Sequence, residues 1–187
     1  MKTIINGLLL LLVIAFPVQA RQIAGVEIPD TLQKDGTSLL LNGAGIRTKW
    51  MMDIYVGGLY LETAGSDASG IVAADEPMAI RLHMVSGMIT SEKMEDATRE
   101  GFKNTLGNKP GAMGPYIEEF IAVFREPIAE GDVFDIVHQP GKGLDLYKNG
   151  DLKSTVAGGL AFKQAVFGIW LGDNPAHAGL KKGMLGK

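Results

Sequence analysis

The order in which hydrophobic periodicities follow one another limits the fold of this chain more than any other feature of its sequence. Apolar residues recur at every second position, the period of a β-strand, in the N-terminal third and again after residue 132. They recur at intervals of three and four, the period of a helix, between these regions and near the C-terminus. This irregular order of strands and helices predicts an α+β domain whose antiparallel sheet is covered on one face by helices.

Local signals divide these regions into elements. Thr90 or Ser91 is a suitable N-cap for the first helix, Pro115 suits the first turn of the second, and Asn149-Gly150 suits a two-residue hairpin turn. Strands are predicted within 23–32, 37–45, 50–62, 79–86 and 132–156, and helices within 90–107, 115–126, 159–171 and 180–185. Residues 63–77 are small and polar, which predicts a surface connection.

The first 20 residues have the three parts of an export signal. Lys2 gives a basic start, residues 4–16 are apolar, and residues 18–20 are of the kind that a signal peptidase accepts. We expect cleavage after Ala20, which leaves residues 21–187 as one periplasmic or secreted domain. The apolar stretch is shorter than the roughly 20 residues that span a bilayer, so the mature protein is not expected to be membrane-spanning. The alternative is that residues 1–20 remain as an uncleaved anchor.

Composition removes several functional classes. The formal net charge is −3 at pH 7 and there is no basic stripe, so we expect no nucleic-acid partner. The chain has no cysteine, and its three histidines are isolated, so no metal site is expected. The chain also lacks a phosphate-binding glycine loop and a nucleophile elbow, and no cofactor is predicted.

The segment LNGAGIRTKWMMDIYVGGLYLE, residues 41–62, contains the best candidate for a binding residue. Arg47 lies in an apolar run, where it either pairs with a nearby carboxylate (Asp53 or Glu62) or a backbone carbonyl, or anchors an anionic ligand. The glycines of this segment suit close approach of a ligand or backbone, although turns and bulges also use glycine. Tyr55 adds a donor that can share an anion, but only if the chain reverses between Thr48 and Met52, since a straight strand would separate the two side chains by about 26 Å. Thr48-Lys49 suits such a turn.

Together with GDVFDIVHQPGKGLDLYKNG and FGIWLGDNPAHAGLKKGMLG, this segment resembles the chalcone isomerase-like family, and more closely its bacterial exported branch. The resemblance implies an open-faced β-sandwich. The family contains isomerases, which close a chalcone into a flavanone, and non-catalytic fatty-acid-binding proteins. The resemblance places Arg47 at the position where an arginine meets the oxyanion of the ligand in both groups. It places Tyr55 at a position where the fatty-acid binders have tyrosine and the isomerases have threonine.

Other positions that the isomerases use differ in this chain. The resemblance puts Thr90 and Ala97 where the isomerases have tyrosine and asparagine, puts Ile169 near their late-helix threonine, and matches Lys93 to a lysine of the family. Without that polar network, chalcone isomerase activity is not expected.

The function expected from the sequence is therefore a non-catalytic periplasmic binding protein for a fatty acid or a similar small amphipathic carboxylate. Its tail would lie between the sheet and the helices that carry Phe102, Phe120, Phe124, Phe162, Phe167 and Trp170. The expected ligand-binding residues are Arg47, Tyr55, Gly57, Gly58 and Lys93. Two alternatives remain: an accessory module that binds a protein partner and has a vestigial pocket, and an intramolecular lyase.

Overall fold

The structure is a computed structural model that describes residues 20–187, apart from Asp35 and Lys109. The predicted export signal lies, except for Ala20, outside the described residues.

The described residues contain nine strands and five α-helices. They follow the predicted order, except that three short strands stand in the N-terminal region where one strand and a turn are predicted, and that one helix is added. The strands are β1 Ala20–Ile23, β2 Val26–Pro29, β3 Thr31–Lys34, β4 Thr37–Lys49, β5 Met52–Leu61, β6 Met78–Met84, β7 Val133–Gln139, β8 Gly143–Lys148 and β9 Asp151–Val156. The helices are α1 Ala68–Ala73, α2 Ser91–Leu106, α3 Gly114–Ala122, α4 Gly159–Leu171 and α5 Ala178–Met184. A short 3₁₀ turn, Gly111–Met113, precedes α3.

Strands β3 to β9 form one antiparallel sheet in chain order, and β1 and β2 form a separate hairpin. All five helices contribute buried residues to the core on one face of the sheet, which we call the helical face. The opposite face carries a smaller core that includes Ile28 of β2 and Val56 and Tyr60 of β5. The Tyr60 hydroxyl donates to the Pro29 carbonyl at 2.9 Å, which fastens the β1–β2 hairpin to this face. The predicted α+β, open-faced arrangement is confirmed.

The core of the helical face is filled by aromatic rings. Phe120 meets Phe102 edge to face at 5.6 Å between ring centroids, and Phe162 stacks on Phe102 at 5.8 Å. Phe124 continues the cluster to Phe134 on the sheet at 5.1 Å. These are the usual separations of favourable aromatic pairs, so the predicted space for a ligand tail is occupied by the side chains of the protein itself.

Helix α1 was not predicted, because residues 63–77 were interpreted as a surface connection. It begins at Asp67, whose carboxylate accepts from the Ser69 amide at 3.1 Å, and only Ile71 of its six residues is buried. Lys163 of α4 reaches its C-terminal end and donates to the carbonyl oxygens of Ile71, Val72 and Ala74 at 2.7 to 3.0 Å. Burial of Lys163 lowers the pKa of its ammonium to about 8.

Helix α5 lies directly on the backbone of β4, and glycines make this approach possible. A Cβ on Gly183 would stand 2.5 Å from the Ala44 carbonyl oxygen, and a Cβ on Gly45 would stand 3.1 Å from the Leu180 carbonyl oxygen. At the start of α5, Nδ1 of His177 accepts from the Leu180 amide, so Nε2 carries the hydrogen and donates to the Thr48 hydroxyl at 3.2 Å. The glycines of β4 therefore serve helix packing.

Candidate functional site

The chain reverses between β4 and β5 and brings Arg47 opposite Tyr55, as cooperation between the two requires. The turn is at Trp50 and Met51, which have φ angles of 51° and 62°. The prediction of a turn at Thr48-Lys49 was wrong, because both residues pair with β5 as part of β4. Across the hairpin, the Arg47 guanidinium carbon lies 5.6 Å from the centre of the Tyr55 ring.

A cleft of about 190 Å³ opens between the end of this hairpin and the beginning of α2. Its apolar wall consists of Trp50, Met52 and Ile54 from the hairpin and of Met88 and Ile89 from the loop before α2. Ile54 and Ile89 are buried, whereas Trp50 and Met88 are exposed at the mouth. The apolar wall thus runs from buried side chains to exposed ones at the mouth, an arrangement suited to the apolar part of an amphipathic molecule.

Three cations and two carboxylates line the same cleft. Arg47 and Lys49 stand on the hairpin side, and Lys93, Asp96 and Glu100 stand on α2. Within the described part of the chain, Arg47 makes no ion pair or hydrogen bond, and its contact is with the Tyr55 ring. A half-buried guanidinium without a carboxylate is a ready partner for an anion. The pairing with Asp53 or Glu62 that the sequence left open is not formed.

Lys93 has a local partner, since its ammonium donates to the Met88 carbonyl at 2.9 Å. This bond holds the loop before α2 against the first turn of the helix. Lys49 is exposed, and its ammonium lies 5.0 Å from the centre of the Trp50 ring. Arg47 is therefore the cation of the cleft best placed to meet a buried anionic group.

The Tyr55 hydroxyl points away from the cleft and into the core. Tyr55 is 1% exposed, and its oxygen accepts a hydrogen bond from the Trp170 indole nitrogen at 2.9 Å. Tyr55 is not part of the cleft wall. The structure brings the Tyr55 ring and Arg47 together, but the Tyr55 hydroxyl is bonded to Trp170 of α4. That Arg47 and Tyr55 share a ligand carboxylate stays a prediction.

Gly57 and Gly58 face side chains of the protein on opposite sides of β5. A Cβ on Gly57 would approach the side chains of Leu180 and Met184 in α5 to within 2.7 to 2.9 Å. A Cβ on Gly58 would meet the rings and methyl groups of the other face, the Tyr60 ring being nearest at 3.1 Å. The structure thus gives both glycines a packing role, and a role in ligand binding stays a prediction.

The three positions at which the sequence departs from the isomerases have identifiable roles. Thr90 is the N-cap of α2 and its hydroxyl accepts from the Lys93 amide at 3.3 Å. Ala97 lines the cleft with a methyl group, and Ile169 is buried in the core. At the cleft, a small apolar side chain stands where a polar one would be needed to orient a reacting phenolate.

Sequence reasoning missed the apolar rim. The sequence predicts Trp50, Met51 and Met52 as the start of a strand. Met88 and Ile89 lie in the loop between β6 and α2, where no periodicity indicates that they face the hairpin. Larger hollows of about 570 and 450 Å³ lie near α1, but they are broad and open, with polar residues such as Asp67 on their walls. The cleft at Arg47 differs from these two hollows because it joins a half-buried cation that has no ionic partner among the described residues to an apolar wall.

Among the described residues there is no group of three or more histidine and acidic side chains that would hold a metal ion. The helices of residues 20–187 are all too short or too polar to cross a bilayer.

Known proteins share the fold of this chain. A family model described as chalcone isomerase-like matches residues 20–186. The crystal structure of a fatty-acid-binding protein of Arabidopsis thaliana superposes with a TM-score of 0.67 over 87% of this chain and 92% of that chain. Its sequence identity is 17%, so this likeness concerns the fold. No curated protein sequence matches the chain.

Proposed function

The chain belongs to the chalcone isomerase-like family, and we propose that it is a non-catalytic binding protein for a fatty acid or a similar small amphipathic carboxylate. The observation that carries this proposal is Arg47, a half-buried cation without an ionic partner in the described structure, which lines a cleft that has an apolar wall.

Leaving Arg47 unpaired has an electrostatic cost. Removing a guanidinium from water without a partner is unfavourable, and a carboxylate can restore two charge-assisted hydrogen bonds at once. Asp96 and Glu100 of the same cleft lie beyond ion-pair distance from Arg47, so they do not form these bonds. The carboxylate of a ligand could form both. The cleft therefore favours an acid over an alcohol or amine of the same shape.

The size of the cleft restricts how the acid is held. Ligand pockets commonly measure about 300 to 1,000 Å³, and this cleft measures about 190 Å³. It accommodates the carboxylate and the first part of a chain, and the remaining methylenes would pass between Trp50 and Met88 at the mouth. This path replaces the one expected from the sequence, in which the tail lies among the aromatic rings of the core.

The residues at the isomerase positions support a role without catalysis. Ala97 offers no hydrogen bond in the cleft, and Ile169 is an apolar core residue. A stopped assay of chalcone absorbance is expected to show no turnover above background. Turnover at an ordinary enzymatic rate of about 1 to 1,000 per second that is lost in Arg47→Ala would refute the non-catalytic role.

The proposed location is extracytoplasmic, after removal of residues 1–20. Its support is the basic, apolar and small-residue order of that segment. N-terminal sequencing of protein from its native host is expected to start at Arg21, and recovery of Met1 from the cytosol would refute export.

The binding role is tested by titrating dodecanoate, with a fluorescent fatty acid as reporter, into wild type, Arg47→Ala and Lys49→Ala. Lys49→Ala is the matched control, since it removes an exposed cation from the rim of the same cleft. Loss of the charge-assisted bonds at Arg47 is expected to cost about 1.5 to 3 kcal/mol, a weakening of roughly 10- to 150-fold. The control is expected to change affinity by less than about fivefold, because exposed charge pairs contribute about 0 to 1 kcal/mol. Thermal melts of all three proteins accompany the titrations, and equal affinities of wild type and Arg47→Ala would end the proposal.

A further inference from the structure

The tip of the β4–β5 hairpin exposes more apolar surface than a soluble turn requires. Trp50 is 78% exposed and Met51 is 101% exposed. Met88, which shares the cleft with Trp50, is 50% exposed. These are three of the six large hydrophobic side chains that stand out from the described surface, and they lie together at one end of the sheet.

The turn itself does not explain why Trp50 and Met51 are there. Both have φ near +55°, a conformation that a two-residue hairpin turn demands and that Asn and Gly adopt most easily. Asn149-Gly150 fills the equivalent turn between β8 and β9 in the expected way. At the β4–β5 tip the chain instead carries two bulky residues that are strained in this conformation, and such strain is common at functional sites.

Basic side chains lie immediately behind the apolar tip. Lys49 stands over the Trp50 ring at 5.0 Å, and Arg47 and Lys93 follow deeper in the cleft. Asp53 follows the turn on β5, and the two carboxylates of α2 lie on the far wall of the cleft. The three cations are matched in number by the three carboxylates, so attraction to an anionic surface rests on Lys49, which is exposed and stands at the tip beside Trp50.

We propose that the β4–β5 tip docks on a lipid bilayer that contains anionic lipid, with Trp50 and Met51 inserted at the boundary between headgroups and acyl chains. Tryptophan favours this boundary because its ring is apolar and its indole N–H is polar. Lys49 would lie at the level of the phosphate groups, where each basic residue gains attraction to anionic lipid. Docking in this orientation points the mouth of the cleft at the bilayer. The docking does not depend on ligand binding, so either can fail alone.

The decisive variant improves the turn while it removes the insertion. Trp50→Asn combined with Met51→Gly installs the residues that this turn prefers, so the variant is expected to fold at least as well as wild type. Leu152→Asn is the matched control, because Leu152 is 52% exposed on β9, on the far edge of the sheet from β4. Binding is measured by flotation with vesicles of phosphatidylcholine, with and without phosphatidylglycerol.

Wild type and Leu152→Asn are expected to float with vesicles that contain phosphatidylglycerol. The turn variant is expected to partition at least about 30-fold more weakly, which corresponds to about 2 kcal/mol at 1.4 kcal/mol per tenfold. Lys49→Gln is expected to reduce the preference for phosphatidylglycerol, and equal wild-type binding to both kinds of vesicle would overturn the electrostatic part.

Failure of wild type to float with either vesicle would overturn the proposal. So would self-association of wild type in size-exclusion chromatography that the turn variant abolishes, since the tip would then be a protein interface. Dodecanoate titration of wild type and Arg47→Ala in the absence of vesicles tests the proposed ligand role separately.

Discussion

Replacement of Tyr55 by Phe separates a structural role of its hydroxyl from a role in ligand binding. The substitution removes one oxygen and leaves the ring, including its contact with Arg47, in place. The oxygen is the acceptor for the Trp170 indole nitrogen at 2.9 Å, and both residues are at most 4% exposed. The variant therefore leaves a buried N–H without its partner.

The expected cost follows from that single group. A buried donor that loses its acceptor costs about 1 to 3 kcal/mol. For a domain of this size, each kcal/mol lowers Tm by about 2 to 4 °C, so Tyr55→Phe is expected to melt about 2 to 12 °C below wild type. Because the hydroxyl points away from the cleft, affinity for dodecanoate is expected to remain within about twofold of wild type. A twofold change is about 0.4 kcal/mol, at about 1.4 kcal/mol per tenfold.

The assay combines urea denaturation, thermal melts and dodecanoate titration of the folded protein. Trp170→Phe and the double variant complete a double-mutant cycle, in which the two side chains are expected to show a coupling energy of about 1 kcal/mol. The reasoning would be refuted by a Tyr55→Phe variant that is as stable as wild type but binds the acid several-fold more weakly. That result would place the hydroxyl on the ligand, as the sequence predicted.

The remaining predictions concern stability. Lys163→Met leaves three carbonyl oxygens at the end of α1 without a donor and is expected to cost about 3 kcal/mol at pH 7 in urea denaturation, at about 1 kcal/mol for each group. The folded-state pKa of Lys163 is about 8, below its unfolded value of 10.5, so the unfolded chain holds more protons between these two pH values. The free energy of unfolding of wild type is therefore expected to rise by about 2 kcal/mol from pH 7.5 to 10. An identical rise in Lys163→Met would refute the assignment. Above pH 10 the trend reverses, because the pKa of Tyr60 is raised by burial to about 12 and the unfolded chain then loses its proton first. Gly183→Ala is expected to cost about 1 to 3 kcal/mol by thermal melting, since its Cβ would meet the backbone of β4, whereas Gly87→Ala has open space and should change stability by less than about 0.5 kcal/mol; equal effects would contradict the packing argument.

Much of the fold followed from the sequence because its signals are local. Alternating strands, the Thr90 cap and the Asn149-Gly150 turn depend on neighbouring residues, and each is present where expected. Helix α1 was missed because its six residues bury one side chain, Ile71, which gives no helical stripe to detect.

The site followed only in part because its remaining features depend on distant or unusual contacts. The need for a reversal after Arg47 was clear from strand geometry, but bulky residues with positive φ are rare, so Trp50 and Met51 were assigned to a strand. The glycines of β4 and β5 suggested close approach of a ligand, but Gly43, Gly45 and Gly57 are approached by α5 and the residues after it, more than 100 residues later in the chain. No pattern within either segment identifies its partner.

The contact between α5 and β4 also determines when the glycines of the β4–β5 hairpin can be covered during folding. The Asn42 side chain donates to the Met184 carbonyl at 2.8 Å across 142 residues of sequence, and Thr48 meets His177 across 129. Contacts so far apart in sequence form late and slow the folding rate, because a long loop must close first. A nascent chain still attached to the ribosome by its last residues has β4 and β5 but not the helix that covers their glycines. The part of the β4–β5 hairpin that α5 covers is therefore synthesised long before the helix that buries it.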